Sequence, residues 1–175
     1  VNARNLAIAF AVSVALVLQT TVFSRLTVEG VGPDLVLLVV AAVALRHGSQ
    51  VGLATGFVAG LLLDLAPPAD HVAGRWALAL LVVGYVAGRL TSTGEPRPVQ
   101  WLGAAAASSF VGTSVFALSG IVLSDPAVAT GELLRTSAVA LGYDVVLALA
   151  VVPLTLALLE RVEPDRVRVL GLSRP

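Results

Sequence analysis

The chain has no cysteine, which excludes disulfides and thiolate metal sites. It has no methionine and no lysine, so all 11 basic residues are arginine. Charged residues make up 13 %, about half the share expected of a soluble domain. The formal net charge is zero, which argues against a broad basic surface for nucleic acid. The phosphate loop, the dinucleotide fingerprint and the zinc-binding HExxH pattern are all missing. The two histidines, His47 and His71, fall in loops expected on opposite sides of a membrane, so they do not share a metal. No cofactor, metal or catalytic residue is expected.

Apolar sequence in long runs takes the place of charge. Of the 175 residues, 57 % are hydrophobic, and the mean hydropathy is +0.94. A hydrocarbon core needs about 20 mostly apolar residues per helix. Six apolar segments are read, at about 6–23, 33–47, 48–66, 76–90, 99–123 and 133–159. The strict alternation of a membrane barrel is missing, and lipid offers backbone amides no partners, so the segments are expected to be helices. The fold class is an all-α integral membrane protein, a six-helix transmembrane bundle in one domain, 1–175, with 160–175 as a short cytoplasmic tail. The first segment does not read as a secretory signal, because it is long and ends in "LQTTVFSRL" without a small-residue cleavage site.

The second segment is short for a span. It either crosses partially or lets Arg46 snorkel while the helix extends past Gly48. Before it, Pro33 suits a first helical turn and Asp34 favours the positive end of the helix dipole. Arginine distribution sets the orientation. Arg4, Arg46, Arg89, Arg97, Arg161, Arg166, Arg168 and Arg174 fall on one side, against Arg25, Arg75 and Arg135 on the other. Both termini are therefore expected in the cytoplasm.

The third segment, "GLATGFVAGLLLDLAPPAD", carries Gly52, Gly56 and Gly60 four residues apart, and the next step lands on Asp64. Residues four apart share a helix face, and small residues there let two backbones approach closely. That face serves packing within the bundle or docking of another protein. Asp64 either bonds loop amides or pairs with Arg75, grips a polar group of a neighbouring protein, or handles a proton or ion. In the last segment Asp144 lies about eleven residues in, so it must face protein or water. Tyr143 and Asp144 are candidates for a buried polar contact with Gln19 or with hydroxyls of the fifth segment, and Pro153 is expected to kink the helix. The serine in "GTSV", Gly112 to Val115, lacks a base at the depth a nucleophile would need.

Gln19 closing the first span, Pro33 and Asp34 opening the second, and Gly56, Gly60, Leu61 and Asp64 in a glycine-rich third helix together resemble the rod shape-determining protein MreD family. The last helix, with Tyr143 and Pro153, resembles the family's C-terminal span. The resemblance implies a non-catalytic scaffold subunit of the bacterial elongation machinery, active in regulation of cell shape. Its implied partners are membrane lipid, an MreC-like periplasmic coiled-coil protein and, indirectly, MreB, RodA and a penicillin-binding transpeptidase. It also implies a fold similar to the substrate-binding subunits of energy-coupling-factor vitamin transporters. That kinship is the alternative function, and Ala7, Ala11 and Ala15 resemble the line by which such subunits dock on their coupling protein.

Overall fold

The computed structural model describes residues 2–27, 32–67, 72–90, 98–123 and 133–162. Within them lie six α-helices: α1 (Ala3–Thr21), α2 (Leu35–His47), α3 (Ser49–Leu65), α4 (Arg75–Arg89), α5 (Pro98–Val122) and α6 (Leu133–Val162). A 3₁₀ turn, Phe23–Arg25, extends α1. Three helical stretches are long and apolar enough to cross a bilayer: Ala3–Arg25, Val99–Val122 and Ser137–Val162. Helix α6 runs to Val162 and continues through Pro153. His71, Arg97 and residues 163–175, which include the tail arginines, lie outside the described residues.

The short second helix is the centre of the bundle. At 13 residues it is about 20 Å long, well under the thickness of a hydrocarbon core. It packs against each of the other five helices. Every residue from Leu35 to Leu45 is buried, as expected of a helix apolar on all sides. It does not extend past Gly48, which has φ 84° and turns the chain directly into α3. Glycine tolerates that left-handed conformation without the steric cost a Cβ would bring. Pro33 precedes the helix, and its N-cap is Asp34.

Helices α3 and α4 touch backbone to backbone along their whole length. A Cβ at Gly52 would strike the Gly84 carbonyl oxygen, one at Gly56 that of Leu80, and one at Gly60 that of Trp76. The partner numbers fall as the α3 numbers rise, so the helices are antiparallel. Gly84 faces Gly52 reciprocally, and Gly88 lies against Ser49 at the turn end. At such separations Cα–H···O contacts and dispersion hold the pair together. The glycine face is therefore filled by α4, and Gly60→Leu would attack the fold before it reached any docking role.

Two glycine substitutions separate this close contact from helix propensity. Gly56→Leu should lower thermal stability in detergent by at least the 1–3 kcal/mol (approximately) typical of overpacking. Gly142→Ala should instead raise it by up to about 1 kcal/mol, since an added methyl there meets nothing within 4 Å. Thermal unfolding of both variants checks the contrast.

Candidate functional site

Because α2 starts inside the bundle, its first amides cannot reach water and need protein acceptors. Three elements supply them. The Asp34 N–H donates to Asp144 Oδ1 of α6 at 2.9 Å. The Val36 N–H donates to Gln19 Oε1 of α1 at 2.9 Å. The Leu37 N–H donates to Asp34 Oδ1 at 2.9 Å, an N-cap in the usual sense. Helix α5 completes the site, where the Ser109 hydroxyl donates to Asp144 Oδ2 at 2.6 Å. The sequence offers Gln19 or a hydroxyl of the fifth segment as partner to Asp144. The structure places the Ser109 hydroxyl on Asp144 directly and brings Gln19 to the same helix start, joined through Asp34, which the sequence alone keeps apart. Tyr143 is half-buried on the adjoining face of α6.

Asp64 is the hub of a second site. It is 3 % exposed, and its two oxygens accept the Trp76 N–H at 3.1 Å and the Ala77 N–H at 3.0 Å. A carboxylate at the end of α3 thereby caps the start of α4, where the helix dipole favours negative charge. Turned inward in this way, it is not presented to a neighbouring protein. Arg75, 2 % exposed, donates from Nη2 to the Phe116 carbonyl at 2.8 Å. Its guanidinium carbon lies 3.9 Å from the centre of the Phe116 ring, a cation–π contact. Trp76 meets the same ring at 4.4 Å between centroids. Asp64, Arg75, Trp76 and Phe116 thus join α3, α4 and α5 at one end of the bundle. Phe116 carried no signal in the sequence, because one aromatic residue in an apolar helix reads as lipid-facing.

Among the described residues, grooves open on the outside of the bundle, two of which flank α1. One, of about 490 Å³, runs between the parallel helices α1 and α3. Arg4, Asn5 and Gln50 line its end near the two N-termini, and Ile8, Val58 and Leu62 its remainder. The other, of about 270 Å³, lies between α1 and α6 and is almost wholly apolar, with Phe10, Val14, Leu18 and Val151 among its lining. Ala7, Ala11 and Ala15 are 5–8 % exposed and packed into the core. They are not presented as a docking line, which removes the feature that favoured a vitamin-transporter subunit. Both polar sites face inward, and the two grooves lie on the outer surface.

The hydroxyls of Ser108 and Ser109 are both on fully buried residues, but only the second has a partner. Ser109→Ala leaves an oxygen of Asp144 without its donor and should cost about 1–3 kcal/mol. Ser108→Ala removes an unsatisfied hydroxyl and should be neutral or stabilising. Asp64→Ala should cost about 1–3 kcal/mol and speed hydrogen exchange at the Trp76 and Ala77 amides. Melting curves and amide exchange of the three variants measure these effects.

No curated protein and no solved structure matches the chain. The family described as rod shape-determining protein MreD matches residues 2–162, nearly the whole chain. Its members are shape-determining structural components, and this chain, whose described residues form an apolar helical bundle, belongs to the MreD family.

Proposed function

We propose that this protein is a non-catalytic scaffold subunit of the bacterial cell-elongation machinery. In this reading it sits in the plasma membrane as a multi-pass protein with both termini in the cytoplasm. It binds an MreC-like periplasmic coiled-coil protein and couples MreB filaments to RodA and a penicillin-binding transpeptidase. The observation that carries the reading is the family match over residues 2–162. The arginine distribution supports the orientation.

Partner contact falls on faces that the bundle leaves open. The glycine face of α3 is filled by α4 and the alanine line of α1 by the core. The groove between α1 and α3 has the small side chains of Ala9, Ser13, Ala54 and Thr55 on its walls, which allow a partner helix a close approach. In this reading the MreC-like partner docks in that groove.

Photo-crosslinking residues placed at Ser13 and Ala54 should capture that partner in cells. The same residue at Val146, exposed on α6, should not. Depletion of the protein should round rod-shaped cells, and the wild-type gene should restore them. Unchanged cell shape on depletion would overturn the function, whereas crosslinking from Val146 alone would move the docking surface.

A further inference from the structure

The two carboxyl groups at the start of α2 are not equivalent. Asp144 has a protein donor at each oxygen, the Asp34 amide at Oδ1 and the Ser109 hydroxyl at Oδ2. Asp34 accepts the Leu37 amide at Oδ1, but its Oδ2 is buried without a hydrogen-bond partner. Asp34 is 9 % exposed and Asp144 2 %, and the bond from the Asp34 amide to Asp144 brings the two acidic residues together. The groups facing them are neutral: Gln19 from α1 and Ser109 from α5. No arginine or histidine among the described residues offsets their charge. Arg46 and His47 lie at the far end of α2, about 18 Å along the helix.

Two buried anions side by side, one with a dry oxygen, are far costlier than one anion accepting a hydrogen bond from a neutral acid. A proton meets that need at Oδ2 without requiring further ligands. We propose that Asp34 and Asp144 form a binding site for one exchangeable proton, carried on Asp34 Oδ2 and directed at the Asp144 carboxylate. The site then holds a single negative charge, and Asp144 accepts bonds from α2, α5 and Asp34 together. Proton binding is thereby coupled to the seating of residues 32–34 and the start of α2 against α6. Loss of the proton leaves two facing anions and loosens that seat.

The sign of the pH dependence follows from proton counting. Unfolded aspartates ionise near about pH 3.9. Above that pH the folded chain holds one more proton than the unfolded chain, so stability falls as pH rises until the site empties. Asp34→Asn provides the test variant, because asparagine caps a helix as well as aspartate does and offers an N–H where the proton sat.

The experiment uses the purified full chain in detergent. Infrared spectra at neutral pH should show a protonated-carboxyl band that shifts in D₂O and is lost in Asp34→Asn. The melting temperature of the wild type should fall between about pH 5 and pH 9, and that of Asp34→Asn should fall less. Sodium and choline buffers should give the same result. Absence of the band, or its persistence in Asp34→Asn, overturns the proposal. So does a sodium-dependent rise in melting temperature, which would make the occupant a metal ion. Should Asp34→Asn fail to fold, Asp144→Asn serves the same purpose, since it removes the facing anion and should flatten the pH dependence. An unflattened profile there overturns the proposal equally.

Discussion

A helix of 13 residues is shorter than the hydrocarbon core of a bilayer is thick, yet in this protein it is the element every other helix touches. Placing an all-apolar rod at the centre satisfies its side chains completely. Its ends are the difficulty, because free amides at the start of a helix cannot be left dry at membrane depth. The structure answers with side chains from α1, α6 and the N-cap, which accept the amides of Asp34, Val36 and Leu37. At the other end Gly48 turns the chain straight into α3, so no loop intervenes. Polar residues that look costly in membrane helices, Gln19 and Asp144 among them, accept amides at the start of α2.

The same logic governs the α3 and α4 pair. Glycines remove the side chains between two backbones, and the contact then consumes the faces that carry them. Closing this pair leaves the first amides of α4 against the last turn of α3, where Asp64 receives them. The buried cation of Arg75 is accommodated beside it by a carbonyl and an aromatic face on α5. Small and polar groups are thus spent inward, and large apolar side chains such as Phe57, Leu118 and Leu154 remain outside. The outer surface is what this arrangement leaves available to other molecules, in a member of a shape-determining family.

Sequence and structure agree on the helices to within about three residues at each end, because long apolar runs and prolines mark membrane helices plainly. The family was legible in short motifs around Gln19, Pro33 and Asp64, and the match over residues 2–162 shows it. Other features were read in outline only. Asp144 was legible as a residue that must avoid lipid, and Ser109 as one hydroxyl among several. Nothing in the chain joined Asp144 to Asp34, which lies 110 residues away. Nor did four-residue spacing tell whether the glycines served a neighbour in the bundle or a second protein.

Composition and hydropathy alone determined that the chain is built of apolar helices and, through the missing cysteine, that it carries no disulfide or thiolate site. Those properties depend on residue type and on period along one chain, which any reader of the sequence can sum. The tertiary structure decided which helix is central, which faces are filled and which carboxylate meets which amide. Such matters depend on distances between segments remote in sequence, and helical period fixes a face without naming what lies across from it.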